Sequence, residues 1–202
     1  MSDLAAAHAA VTVDLGSGDG RFVLAQAAAF QERLVLGVEA SRDAMRDASR
    51  RASRPAARGG LPNARFVLCA VEAVPAGLAG IADLVTVHFP WGSLRAAASG
   101  SDPTTTAQIA RLVRRGGGLR LLLADGPRDG IPAITPDTVA ATYARLGLTV
   151  VECRPATLDD ATAAHSSWGK RLLRNPAPGR AAWFFVLHRP RPVPGGGDRI
   201  RP

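Results

Sequence analysis

Val11-Thr12-Val13-Asp14-Leu15-Gly16-Ser17-Gly18-Asp19-Gly20 is the stretch whose reading decides the fold. An apolar alternating run ends in an acid and then in a glycine-rich loop, the pattern of a strand that delivers a ligand-binding turn. Glycine lacks a Cβ, so backbone N–H groups in such a loop can turn tightly and come against a ligand. Apolar residues resume at Phe22, Val23, Leu24 and Ala25, which predicts a helix over residues 21–30 with its positive end toward that ligand. NAD enzymes, nucleoside binders and ordinary turns all supply a Gly-x-Gly-x-Gly, so the surroundings must decide.

The second strand, residues 34–38, ends on Glu39, about 20 residues past the loop. A carboxylate at that place in a doubly wound sheet can accept both ribose hydroxyls of an adenosine cofactor. Ser41 can cap a helix reaching about Arg54, where Pro55 stops it. Arg42, Arg46, Arg50 and Arg54 recur every four residues along it, and Arg51 and Arg58 add to the stripe. Against these six arginines stand only Asp43 and Asp47. Such a stripe fits a solvated face and equally a phosphate-binding surface.

Further strands are predicted at 65–69, 83–87, 119–124, 148–153 and 181–188, with helices at 103–115 and 136–146. The fourth strand empties into His88-Phe89-Pro90-Trp91-Gly92-Ser93, which should lie beside the reactive end of a bound cofactor, because ligands sit at the C-terminal ends of such strands. Residues 157–180 read as a long connection, basic over 165–180 through Lys170, Arg171, Arg174 and Arg180. The 202 residues suit one α/β domain over 1–188, followed by a mobile Pro/Gly/Arg tail over 189–202.

Net charge is +8, and the isoelectric point of about 11.2 favours a polyanionic partner. Because 24 of the 25 basic residues are arginine, a bias of GC-rich codons, the position of the charges carries more information than their type. Cys69 and Cys153 stand far apart in apolar runs and read as small buried thiols; no spacing suggests a metal site. No segment has the length or character of a membrane span or secretion signal, so a cytoplasmic protein that does not meet the membrane is expected.

Seven strands with helices between most of them and a long link before the last form the pattern of a class I S-adenosylmethionine (SAM) methyltransferase: Rossmann-like, mostly parallel, with an antiparallel last strand. The loop agrees. Its third glycine comes one residue early for a dinucleotide fingerprint, and Asp14 suits a cationic methionine group better than a pyrophosphate. Enzymes that methylate exocyclic amines commonly carry Asn/Asp-Pro-Pro-Tyr/Phe after strand four, whereas Phe89-Pro90-Trp91-Gly92 stands here. Trp91 and Trp168, each beside glycine or serine in a separate loop, suggest a stacking clamp; Trp183, inside an apolar strand, reads as core. No His/Asp pair for general base catalysis presents itself.

The chain resembles the aminoglycoside-resistance 16S ribosomal RNA methyltransferases that modify N1 of adenine 1408, the kanamycin–apramycin type. The resemblance is carried by residues 13–20, by Gly59-Gly60-Leu61-Pro62-Asn63, by Pro90-Trp91-Gly92-Ser93-Leu94, and by Ser167-Trp168 with Lys170-Arg171-Leu172. It spans about residues 11–188, although only ten residues precede the first strand, where the family carries a longer extension, and the link from Asp125 to Gly130 looks short.

The resemblance implies that Asp14, Gly16, Ser17, Gly18 and Asp19 hold the methionine part of SAM, that Glu39 with Ala40 holds the ribose, and that Val71 and Glu72 border the adenine. It implies that Trp91 and Trp168 sandwich the flipped base, that Ser166 fixes the base or its loop, and that Phe89 and Pro90 present carbonyls to the reacting edge. Arg50, Arg54, Arg58, Lys170, Arg171 and Arg174 would meet rRNA phosphates. The implied partner is 16S rRNA in the 30S subunit, the implied product is S-adenosylhomocysteine, and the expected state is a monomer. Two rival readings remain at this point: a methyltransferase of a planar small molecule, and an RNA-binding protein with a relic cofactor pocket. Salt sensitivity separates the first from an rRNA enzyme, and SAM binding separates the second.

Overall fold

β1 (Ala10–Leu15) is buried from Val11 to Leu15, as befits a parallel strand covered on both faces. The computed structural model describes residues 2–125, 133–175 and 181–192. In it β1 is joined by β2 (Arg33–Glu39), β3 (Ala64–Leu68), β4 (Ala82–His88), β5 (Val113–Ala124), β6 (Thr149–Pro155) and β7 (Ala182–His188). These form one sheet of order β3-β2-β1-β4-β5-β7-β6. The strands through β5 pair in parallel, and β7 runs antiparallel to both β5 and β6. The expected seven-stranded architecture with its antiparallel last strand is the one observed. The strand order reverses between β1 and β4, and in sheets of this kind the ligand crevice opens there.

Helices cover the sheet: α1 (Ser2–Ala6), α2 (Arg21–Ala29), α3 (Arg42–Ala52), α4 (Gly92–Ser99), α5 (Pro103–Leu112), α6 (Pro136–Arg145), α7 (Leu158–Ala163) and α8 (Ser167–Arg174). Their starts follow capping chemistry. Ser41, Asp102, Thr135, Thr157 and Ser166 each accept a backbone N–H from the first turn of the helix that follows. The Gly59-to-Asn63 motif is structural. A Cβ on Gly60 would stand 1.7 Å from the Arg54 carbonyl oxygen, and buried Asn63 reaches the carbonyls of Ala27, Phe30 and Arg33 at 2.9–3.0 Å, tying the end of α2 to β2.

Several expectations are corrected. The helix predicted over 103–115 ends at Leu112, and the chain from Val113 onward already belongs to β5. There Arg114 turns to bond Asp83, and Gly117 lies so close to the Ala82 carbonyl that a Cβ would sit 2.8 Å from it. The connection over 157–180 contains α7 and α8, and α4 occupies residues that carried no prediction. Cys69 is only part-buried and Cys153 is exposed, so neither is a core thiol. Trp183 packs against the main core as expected, though partly buried. Arg189, assigned to the tail, remains bound to the fold: its backbone pairs with Gly116 and Gly117, and its guanidinium donates to the carbonyls of Ala110 and Leu146. The rest of the predicted tail from residue 193, most of the 125–130 link and Arg180 lie outside the described residues. Among the described residues no helix is long and apolar enough to cross a membrane.

Candidate active site

Register brings the pieces together. Leu15 pairs with Val87, so the loops leaving β1 and β4 emerge side by side at the crevice. Two cavities of about 290 and 300 Å³ meet there, sharing Gly16, Gly18, Phe89 and Trp91. The first extends past Glu39, Ala40, Val71 and Glu72, the predicted ribose and adenine end, and Cys69 also borders it. The second holds Asp14, Ser17 and Asp19 together with Ser166 and Trp168. Every residue predicted for the cofactor, the base clamp and its support therefore lines one cavity or the other; Pro90 lines the first beside Trp91.

The glycine loop works differently from the sequence expectation. Three of its N–H groups turn toward β2: Gly16 and Ser17 donate to the Val38 carbonyl at 2.8 and 3.1 Å, and Gly18 donates to Glu39 Oε2 at 2.8 Å. Those three are thereby withdrawn from any phosphate cradle. Asp14, lining the same crevice, suits a cation better than a pyrophosphate. Gly16 holds a left-handed φ of 71°, which strains any other residue, and a Cβ there would press on the Leu94 side chain at 2.5 Å. Glu39 also accepts the Ser41 N–H at 2.8 Å through its other oxygen, so one carboxylate fixes the loop, the start of α3 and the cavity wall. Asp19 lies at the rim, ion-paired with Arg21 at 2.6 Å.

Asp14 is buried and accepts the Thr86 hydroxyl at 2.7 Å. Burial pushes its carboxyl up to about 7, against the pull of the Thr86 bond and helped by Glu39. A cation placed beside it would favour the ionised form. Sequence reasoning found no His/Asp pair, yet His88 Nδ1 lies 3.4 Å from Asp14 Oδ1. Burial, with Arg120 and His165 nearby, pushes His88 down to about 3, so the imidazole is neutral and the contact is not an ion pair. The signal was legible only through topology: with β4 beside β1, Asp14 pairs with Thr86, and His88 follows two residues later on the same face.

Trp91 and Trp168 meet edge to face, with ring centroids 4.8 Å apart. Trp168 leans on Phe89 at 5.6 Å, and Trp91 is 56 % exposed. Two non-glycine residues with left-handed backbone flank the pair: Phe89 at φ 50° before Trp91, and His165 at φ 52° before α8. Such conformations cost about 1–3 kcal/mol each and collect at functional sites. Packing sustains the one at Phe89, whose buried ring abuts Gly169 so closely that a Cβ there would fall 2.3 Å from Phe89 Cε2. Ser166 Oγ accepts the Gly169 N–H at 3.0 Å and so sets the start of the helix that carries Trp168.

The predicted phosphate contacts form two separate groups. Arg50, Arg54 and Arg58 are exposed on and after α3; Arg171 and Arg174 are exposed on α8, where Lys170 is part-buried. Among the described residues no group of three or more His, Cys, Asp or Glu could hold a metal ion.

Comparison with known proteins agrees with this geometry. The sequence profile of the NpmA family, 16S rRNA (adenine(1408)-N(1))-methyltransferase, matches residues 1–182. A 16S rRNA (adenine(1408)-N(1))-methyltransferase of Streptoalloteichus hindustanus is 31% identical over 173 residues, 80% of each chain. Among solved structures, the 16S rRNA methyltransferase KamB superposes with TM-score 0.81 at 26% identity, covering 94% of this chain and 92% of that one. A variant of the 16S rRNA (adenine(1408)-N(1))-methyltransferase from Catenulisporales acidiphilia, solved with its cosubstrate SAM, superposes with TM-score 0.77 at 29% identity over 100% and 92% of the two chains. On its sequence and its fold alike, this chain belongs to the 16S rRNA (adenine(1408)-N(1))-methyltransferase family.

Proposed function

We propose that this chain methylates N1 of adenine 1408 in the 16S rRNA of the 30S subunit, using SAM and releasing S-adenosylhomocysteine, and that the modification confers aminoglycoside resistance. The observation that carries the reading is the convergence of Trp91 and Trp168 on a cavity that Asp14 and the glycine loop also line. Family membership supports the same reaction.

When bound, SAM supplies an electrophilic methyl group on a sulfonium. We assign its adenosine to the cavity end that Glu39, Ala40, Val71 and Glu72 line, and its cationic methionine end to Asp14. Adenine N1 already offers a lone pair, so the protein must align rather than deprotonate, and alignment is a large contribution in itself. The methylated ring is cationic. Two indole faces and the carbonyls of Phe89 and Pro90 favour that charge as it develops. Extruding the base costs a few kcal/mol, which stacking worth about 1–3 kcal/mol per ring offsets. Arg50, Arg54, Arg58, Lys170, Arg171 and Arg174 are the groups we assign to rRNA phosphates. We read residues 1–188 with the bonded Arg189 as one catalytic domain of a monomeric, cytoplasmic enzyme, with the residues after them as its tail.

The test is methyl transfer from radiolabelled SAM to 30S subunits, to free 16S rRNA and to planar small molecules at several salt concentrations. Label in 30S subunits that falls steeply with salt supports the reading; label only in small molecules, indifferent to salt, overturns it.

A further inference from the structure

His88 occupies a place that an apolar side chain would fill at lower cost. Its side chain is 8 % exposed, and its ring meets Phe22 edge to face at 4.6 Å. Its Nδ1 is buried without a hydrogen-bond partner, 3.4 Å from Asp14 Oδ1. A buried polar atom left unpaired destabilises a fold, and a leucine or methionine in the same space would carry no such penalty. The approach to Asp14 is one-sided as well: the Thr86 hydroxyl donates to Oδ1, the same oxygen that His88 faces, while Asp14 lines the crevice shared with Gly16 and Gly18.

We infer that His88 is a positioning residue of the cofactor site: when a cation lies against Asp14, the Nδ1–H of the neutral imidazole closes on Oδ1 and, with Thr86, holds the carboxylate so that Oδ2 faces the ligand. The inference rests on the reading that this crevice takes SAM, whose methionine end carries an ammonium and a sulfonium.

Charge explains why a neutral donor suits the place. A protonated imidazole would repel the cation; a neutral one donates without doing so. Burial, Arg120 from β5 and His165 after α7 keep the ring neutral. The carboxylates near it, Asp14 from β1, Asp160 from α7 and Asp19, which is paired with Arg21 at the start of α2, pull the other way without outweighing burial. Glu39 acts on Asp14 from β2. Asp14 must shed its proton to meet a cation, and a second hydrogen bond to Oδ1 favours that step.

The experiment is calorimetric titration of the whole chain with SAM between about pH 6 and 8, for the unaltered protein, His88→Leu and His88→Asn, with melting curves to verify folding. At about pH 7, His88→Leu is expected to lose roughly tenfold in SAM affinity, the worth of one hydrogen bond to a charged group. His88→Asn, whose amide can place an N–H where Nδ1 stands, should stay within about threefold. The pH below which binding weakens should rise in the leucine variant and stay in place in the asparagine variant. Leucine binding as the unaltered protein does, with the same pH profile, overturns the inference while leaving the SAM reading intact; an unaltered protein that binds no SAM at any pH removes both. One further measurement needs no variant: the 15N resonance of His88 Nδ1 should report a protonated nitrogen once SAM is bound, and an unprotonated Nδ1 in that complex contradicts the proposal.

Discussion

The indole rings of Trp91 and Trp168 lie edge to face, their centroids 4.8 Å apart and their planes at 73°. A base stacked between them needs roughly 7 Å, two contact distances of about 3.5 Å, so the rings must part before adenine can enter. Trp168 is held by Phe89 behind it, whereas Trp91 is exposed, so Trp91 is the ring that moves. Trp91→Ala or Trp168→Ala should lower rRNA methylation about 5- to 150-fold, the worth of one stacking ring. SAM affinity, measured calorimetrically, should change by less than about threefold. Normal turnover in both variants would contradict the clamp.

Gly169→Ala tests how Trp168 is held. Alanine in a helix interior ordinarily stabilises by about 1 kcal/mol relative to glycine. Here the new methyl would stand 2.3 Å from Phe89, so the sign should reverse. A loss of about 1–3 kcal/mol is expected, with a fall in melting temperature of several degrees. Methylation should fall as α8 shifts. An alanine variant more stable than the parent would show that α8 does not depend on this contact.

Asn63→Ala removes the amide that reaches three carbonyls at the end of α2 and the start of β2. Leaving buried carbonyls unpaired should cost about 2–3 kcal/mol. Denaturant unfolding should show a lower midpoint at an unchanged slope.

Asp14→Asn should trade binding for stability. The Asp14 pKa rises from an ordinary 3.8 to about 7 on folding, so the group's favourable contribution is complete below 3.8 and is lost as pH climbs through about 7. His88 is lowered from 6.5 to about 3, so its contribution is complete above 6.5 and is lost as pH falls toward 3. Between about pH 4 and 6.5 the two slopes oppose each other, and the unliganded protein should change little in stability on their account. Asparagine removes the first slope alone. The variant should be more stable at pH 7, should gain stability as pH rises from about 4 to 6.5, and should bind SAM more weakly. Melting curves across that range check the sign.

Arg54→Glu and Arg58→Glu should weaken 30S binding at every salt concentration, and neutralising either arginine should reduce the slope of log affinity against log salt by about one. Arg171 and Arg174, on the other basic group, should behave alike. Unchanged slopes for all four would mean that these arginines face water.

Much of the fold was legible because apolar runs and turn chemistry agreed: β1 and β2, buried almost throughout, were bounded closely, and Ser41 and Pro136 marked helix starts. The failures have local causes. α7 and α8 are six and eight residues long, too short to show a helical period, and α8 contains Gly169. The run Gly116-Gly117-Gly118 resembles a helix stop but forms part of β5, where a Cβ on Gly117 would meet the Ala82 carbonyl of β4. The residues that line the two cavities were legible as a set through the glycine loop, Glu39 and the two tryptophans. His88 was not: its meaning depends on β4 lying beside β1. Nor could sequence show that the N–H groups of Gly16, Ser17 and Gly18 turn inward to Val38 and Glu39.

The central claim is the methylated atom. Primer extension on 16S rRNA from 30S subunits incubated with the protein and SAM reads it directly, because a methyl group on N1 blocks the pairing edge. A new stop at adenine 1408, absent without SAM and weakened with Trp168→Ala, is the predicted result; uninterrupted extension through that position from fully labelled subunits would contradict the account.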